Sequence, residues 1–390
     1  MGEPAAAAAA PSASTSTSGD RLPLVNDEIV TDSGKKYKLS AILGDGGYGT
    51  VFQSQDGDYK VAVKTEKFSK SQLKIEIHVM RAAMQNNCKH FCELIDCGTK
   101  GKDFDYVVMT LLGKDLHKLR SELPDRKFSL NTATRIGIQM LKACEELHRI
   151  GYVSRDIKPG NFAPGIKANR QSRTIFMYDF GLARKYIDKN NNVIPSRKEV
   201  GWRGTTRYGS LNAHKRLDLG RRDDLESWFY SLVEMTRGTL PWRNVTERAN
   251  VQRAKEAART SGRVQFLFET PAQYDKIFTI IDSYSFEAAP DYCLLTKYLN
   301  EAREERQLRD REHWDWEDET VSTTVTTITS FSDKELRAKH DQTPTVVGRS
   351  DRTNLRLFLF WYSVMINEFK NQVVPTAMLR NKANIALVPA

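Results

Sequence analysis

Hydrophobic and polar positions along this chain follow two regimes. Up to about Leu112, apolar residues alternate with polar ones over short stretches. Residues 39–43, 48–53, 59–64 and 106–110 therefore read as strands, whose successive side chains face opposite ways. One helix is expected among them, over residues 70–84. Beyond Leu112 the repeat lengthens to that of helices. The clearest case is 129–150, where Ile136, Met140, Leu141, Cys144 and Leu147 make one apolar face. Ser129 is placed to cap its start and Gly151 to close its end. The expected fold class is α+β and bilobal, with a small β-rich N-lobe and a larger helical C-lobe.

The periodic part runs from about residue 36 to residue 308. Residues 1–35 are rich in Ala, Ser, Thr and Pro at their start and are expected to form a disordered leader, since they can bury little surface. No secretory pattern is evident, and Ala6 breaks the myristoylation pattern that Gly2 would begin. Residues 309–390 read as a tail. Its first part, 309–319, is dense in charge around Trp314 and Trp316; 320–330 is rich in Thr and Ser; 357–366 is an apolar run. That run is half the ~20 residues of a spanning helix, so no transmembrane segment is expected. It is expected to dock on the helical lobe.

Composition adds a few bounds. A chain of 390 residues, 40% hydrophobic and 28% charged, can build one large bilobal core. The net charge of +10 fits a well-solvated surface or an anionic partner. No aromatic-rich RNA platform or helix-turn-helix pattern is present, so no specific nucleic-acid partner is expected. Five cysteines are an odd number, which suits a reducing, intracellular setting, the cytoplasm or nucleus. Cys88, Cys92, Cys97 and His90 lie close together, but no second pair follows, and Phe91, Leu94 and Ile95 among them read as a buried strand. No metal is expected there.

Candidate chemistry lies in an ordered set of motifs. Gly44, Gly46, Gly49 and Val51 fit G-x-G-x-x-G-x-V, followed by a strand rather than a helix. Glycines in such a turn let backbone amides approach phosphates. On the next strand, in Val61-Ala62-Val63-Lys64, a lysine can pair with phosphate oxygens if a carboxylate holds it, and Glu76 is well placed. Then come Ser154-Arg155-Asp156-Ile157-Lys158-Pro159-Gly160-Asn161 and Asp179-Phe180-Gly181. Phosphoryl transfer needs a carboxylate for the hydroxyl proton, a cation at the γ-phosphate and oxygen ligands for magnesium. Asp156, Lys158, Asn161 and Asp179 supply those groups in the right order.

With these motifs the chain resembles the protein kinases, and within them the casein kinase I superfamily, tau-tubulin kinase branch. The resemblance rests on 104–109, on Asp179-Phe180-Gly181-Leu182-Ala183-Arg184, and most of all on Arg203-Gly204-Thr205-Thr206-Arg207-Tyr208-Gly209-Ser210-Leu211-Asn212. Ser210-Leu211-Asn212 stands where most protein kinases carry Ala-Pro-Glu. The resemblance covers roughly residues 36–305. It implies a serine/threonine protein kinase, a monomer, using ATP and Mg2+ on protein substrates. It implies that Lys64 and Glu76 form the ion pair orienting ATP, that Met109 stands behind adenine, and that Leu111 and Leu112 form the hinge beside Ala62. Asp156 becomes the base and Lys158 the γ-phosphate partner, while Asn161 and Asp179 hold Mg2+. Asp224 anchors the catalytic loop from below.

Two readings go further. The basic residues between Arg184 and Arg222 border the peptide groove, and Arg207 and Lys215 are the leading candidates for a substrate anion site. Substrates that are acidic or already phosphorylated are therefore expected. Ser154 stands where the family has His, which leaves a pseudokinase-like scaffold with weak transfer as the alternative.

Overall fold

The computed structural model describes residues 20–47 and 49–317. Its small lobe is a five-stranded antiparallel sheet in the order β3-β4-β5-β7-β6. The strands are β3 (Ala41–Asp45), β4 (Gly49–Asp56), β5 (Tyr59–Lys67), β6 (Leu94–Lys100) and β7 (Phe104–Thr110). Before them, β1 (Glu28–Val30) pairs with β2 (Lys36–Lys38).

The two-residue period of β5 explains the lobe. Val61 and Val63 pack with Ile29, Tyr37, Phe52, Tyr106 and Val108 on the outer face. Ala62, Lys64 and Glu66 alternate with them and face the other way. The ladder sets Lys64 between Val51 and Val107, and Ala62 opposite Met109. The cleft-facing residues are thus fixed by the burial of their neighbours.

This outer core corrects the leader expected over 1–35. Ile29 is 2% exposed and Tyr37 is fully buried. The chain from residue 20 belongs to the fold, because the outer face of the sheet would otherwise leave Phe52 and Val61 in water. Residues 1–19 lie outside the described part.

Between β5 and β6, helix α1 (Leu73–Gln85) packs Val79, Met80 and Ala83 against the lower core. The large lobe is helical: α2 (Leu116–Glu122), α3 (Leu130–Arg149), α4 (Leu211–His214), α5 (Arg221–Arg237), α6 (Arg248–Ala257), α7 (Arg263–Phe266), α8 (Gln273–Ser283) and α9 (Tyr292–Glu305). Short strands β8 (Tyr152–Val153), β9 (Phe162–Pro164), β10 (Ile175–Met177) and β11 (Arg184–Lys185) form two antiparallel pairs, β8 with β11 and β9 with β10. Helix α3 matches its expected face: Ile136, Met140, Cys144 and Leu147 are fully buried. The Ser129 side chain accepts from the Thr132 amide, and Gly151 takes a left-handed φ of 88°. Helix α5 is buried on all sides and runs through the centre: Leu225, Trp228, Phe229 and Leu232 are fully buried, and so are polar groups such as Asp224 and Glu234.

The expected end at residue 308 also needs correction. Trp314 is 3% exposed, and the Arg135 guanidinium sits 4.3 Å over its ring. The Asp315 carboxylate accepts from the Ser129 amide (2.6 Å), the Ser129 hydroxyl (2.7 Å) and the Thr132 hydroxyl (2.8 Å). An acid at a helix N-terminus meets unpaired amides and the positive end of the helix dipole. Residues 309–317 are therefore part of the large lobe. The Thr/Ser-rich 320–330 and apolar 357–366 lie outside the described residues.

Candidate active site

Between the lobes lies a cavity of about 450 Å³, lined by Gly46, Gly49, Val51, Lys64, Asp156 and Asp179 among others. Its roof is the turn between β3 and β4. Gly49 is required there, since a Cβ would come within 1.8 Å of the Thr65 carbonyl oxygen. A Cβ on Gly44 would meet nothing within 4 Å, and one on Gly46 only an ordinary contact.

The Lys64 ammonium lies 2.5 Å from Glu76, 3.3 Å from Glu66 and 3.6 Å from Asp179. Burial alone would lower its pKa, but Glu76, Asp179 and Glu66 outweigh that and hold it well above the usual lysine range. Lys64 is charged at any working pH. Glu66 had no place among the expected site residues. It also accepts from the Gln72 amide at 2.7 Å, at the start of α1, so it ties the helix bearing Glu76 to the strand bearing Lys64. Its signal was available, since a residue two after Lys64 on a strand shares its face.

Below the cavity, Asp156 is held from both sides. Its Oδ2 accepts from Lys158 Nζ (2.6 Å) and its Oδ1 from the Thr205 hydroxyl (2.7 Å). The Asn161 amide nitrogen donates to the Asp156 carbonyl at 3.0 Å. Lys158 also reaches the Thr205 hydroxyl, at 3.2 Å. The Tyr178 amide donates to the Asn161 carbonyl, which brings Asp179 beside Asn161. Asp179 takes a left-handed φ of 64°, and its side chain is 46% exposed toward the cavity. Phe180 is turned into the core, stacked on Phe91 with ring centroids 5.3 Å apart.

The Asp179 carboxylate and the Asn161 amide oxygen, which has no partner among the described residues, are hard oxygen donors. They fit Mg2+.

Ala62 and Met109 are ladder partners, and Leu111 is 8% exposed. Leu112 bridges to Gly165, and the Gly113 amide donates to the Pro164 carbonyl at 2.8 Å. This group lies where the chain passes from β7 to α2 and is not among the residues lining the cavity.

The catalytic loop rests on Asp224 of α5. Its carboxylate accepts from the amides of Ser154 (2.7 Å) and Arg155 (2.8 Å) and pairs with His148 Nε2 at 3.0 Å. Ser154 itself is buried, and its hydroxyl accepts from the Asp156 amide at 3.3 Å. Ser154 therefore keeps a direct hold on Asp156.

Arg207 and Lys215 are not brought together by any shared contact. Arg207 lies 3.4 Å from the buried Glu234 and remains 30% exposed, while Lys215 is exposed at the end of α4. Arg184 and Arg197 both hold Asp218, at 2.7 and 2.8 Å. Burial would raise the Asp218 pKa, but the hydrogen bonds from Arg197 and Arg184 drive it far below the usual carboxylate range. Asp218 and Glu234 are further residues that motif reading missed, and Thr205, though part of a quoted motif, had no role assigned to it.

A family model for the protein kinase domain matches residues 37–311. This chain belongs to the protein kinase family. A Dictyostelium discoideum protein named a "probable serine/threonine-protein kinase" is 36% identical over 72% of the chain. The Caenorhabditis elegans serine/threonine-protein kinase spe-6 is 35% identical over 73% of the chain and 76% of its own length. The match spans only 56% of the Dictyostelium protein. The matched domain of this kinase is a serine/threonine protein kinase domain, with the expected bilobal fold.

Proposed function

We propose that this kinase transfers the γ-phosphate of ATP to serine or threonine of proteins that are acidic or already phosphorylated near the acceptor. We place it in the casein kinase I superfamily, on the tau-tubulin kinase-like branch. The observation that carries the reading is Asp156, oriented by Lys158 and Thr205 at the floor of a cavity also lined by the Lys64–Glu76 pair. Asp156 accepts the proton of the attacking hydroxyl, whose oxygen bonds to the γ-phosphorus as the bond to ADP breaks. Lys158 holds charge beside the transferred group, and Lys64 binds the phosphates that stay behind. Asn161 and Asp179 would hold Mg2+, which would supply the positive charge that offsets the phosphates.

Ser210-Leu211-Asn212 supports the branch. Ser210 Oγ and Asn212 Nδ2 both donate to Asp223 Oδ1, at 2.7 and 2.8 Å, so the segment that replaces Ala-Pro-Glu is tied to α5 by its own polar side chains. Arg207 and Lys215 support the anionic preference through their remaining exposure. The protein acts as a monomer inside the cell, in cytoplasm or nucleus. Free cysteines suit that setting, and no helix among the described residues is long and apolar enough to cross a membrane.

The test uses peptide pairs with and without phosphoserine upstream of the acceptor, assayed in Mg-ATP with wild type, Asp156→Asn and Arg207→Ala. Wild type should favour the phosphorylated peptide, Asp156→Asn should lose at least about a thousandfold in rate, and Arg207→Ala should lose the preference. Full transfer by Asp156→Asn would refute the role of the base. Equal wild-type rates on both peptides would refute the anionic preference, and transfer too weak to measure would favour the scaffold.

A further inference from the structure

Lys255, on α6, is a lysine where the helix should present an apolar residue. Val251, Lys255 and Ala258 form the buried face of that helix, and Lys255 is fully buried. Among the described residues its ammonium has no ion pair with a carboxylate. It donates instead to the Thr206 carbonyl (2.9 Å) and the Gly209 carbonyl (2.5 Å), and it meets His214 Nε2 at 3.2 Å. An ammonium has three donors and no acceptor, so these partners satisfy it completely. The rings of Tyr230 and Trp242 flank it, 4.9 and 5.4 Å from the nitrogen. A buried charge is costly, and a methionine of similar length would fill the same space without that cost. What the lysine adds is its hold on the backbone of residues 206–209.

Where that backbone runs matters for the substrate. Thr205 donates to the base Asp156, so residues 206–209 leave the catalytic centre directly beside the acceptor hydroxyl. Trp242 Nε1 reinforces the hold by donating to the Arg207 carbonyl at 2.8 Å. With the carbonyls of 206, 207 and 209 fixed inward, the opposite side of the segment is what a peptide meets. We infer that Lys255 is a positioning residue for the protein substrate, shaping the wall of the peptide groove next to the acceptor without touching ATP or the reacting atoms. The inference rests on the protein-kinase reading above.

The surroundings make the hold sensitive to pH. Burial pushes the Lys255 pKa down to about 7, with Glu226 opposing and Arg259 adding to the fall. On α4, burial and then Lys255 and Arg248 hold His214 down to about 3, so it stays a neutral acceptor. On α5, burial and then Glu226 keep the Tyr230 hydroxyl protonated, and Glu226 is ion-paired to Arg259 at 3.0 Å. Lys255 is then the group against the 206–209 carbonyls that changes charge near neutrality; Asp223, which burial holds up to about 6, serves Ser210 and Asn212 and is mostly ionised above pH 7. Lys255 is charged below pH 7; above it the neutral amine keeps two donors for the two carbonyls but loses the charge that strengthens those bonds.

The experiment measures KM for peptide and KM for ATP separately in wild type, Lys255→Met and Lys255→Arg, from pH 6 to 9. Lys255→Met should raise the peptide KM at least about tenfold, since small displacements of a binding surface carry large penalties, and leave the ATP KM within about twofold. Lys255→Arg should recover part of the loss and remove the rise in peptide KM that wild type shows above pH 7. The wild-type pH profile needs no variant, so it decides even if Lys255→Met fails to fold. A flat wild-type peptide KM, an unchanged Lys255→Met, or parallel rises in both KM values would overturn the inference. Absence of any transfer by wild type would instead overturn the kinase reading.

Discussion

Asp224→Asn is the sharpest probe of how the catalytic loop is held. The carboxylate of Asp224 is 1% exposed and takes donors from three groups: the Ser154 amide, the Arg155 amide and His148. Its Oδ2 serves Ser154 and His148, and its Oδ1 serves Arg155. An asparagine keeps one acceptor oxygen and sets an NH2 where the other stood, facing a donor. One buried backbone amide, or an amide and an imidazole, is then left unpaired. Each unsatisfied buried group costs about 1–3 kcal/mol, so Asp224→Asn should lower stability by about 2–5 kcal/mol. The same change frees Arg155, which precedes Asp156 and takes a left-handed φ of 66°. Even a small shift of Asp156 from the hydroxyl it serves should lower kcat by about a hundredfold. Denaturant melts and steady-state rates with saturating peptide and Mg-ATP measure both effects. A variant within about 0.5 kcal/mol of wild type, or one that is destabilised but keeps full kcat, would refute the claim that Asp224 positions the base.

Asp218→Asn tests the carboxylate shared by Arg184 and Arg197. Its folded pKa lies below the ordinary 3.8, so its contribution is complete above pH 4 and is lost as pH falls through the folded value. The stability gap between wild type and variant should therefore be widest near pH 6 and narrow below pH 3 in denaturant melts; a constant gap would mean that packing, not charge, is responsible. Trp314→Ala tests the corrected domain end: removing a buried tryptophan should cost about 3–5 kcal/mol, whereas a tail residue would cost almost nothing.

That the candidate site residues come together was legible because they are consecutive or nearly so. Asp156, Lys158 and Asn161 come within six positions, and Lys64 sits on a strand whose alternation is plain. Helix α3 announced itself through Ser129, its apolar face and Gly151. The boundaries were not legible for a different reason. Strand β1 is three residues long and contributes one buried side chain, Ile29, which is too little to register as a period. The stretch 309–317 reads as a charged tail because Arg309, Asp310, Arg311 and Glu312 dominate it. Its place in the fold depends on Trp314 meeting Arg135, far away in sequence.

Support for the site is harder to read than its chemistry, and the stretch 205–212 shows why. Beside the contacts of its own side chains, several run from distant side chains to its backbone: Lys255 to the Thr206 and Gly209 carbonyls, Trp242 to the Arg207 carbonyl, Glu226 to the Leu211 amide. Every residue offers the same carbonyl and amide, so the receiving end leaves no mark in the sequence. Only the giving end does, and it appears as an anomaly. Lys255 occupies a position four after Val251 and three before Ala258, where helical spacing predicts an apolar residue. A charge that breaks the buried face of a helix requires compensation. In this kinase the compensation is a backbone turn beside the acceptor site, which is why the polar intruder in the core is also the residue best placed to govern substrate fit.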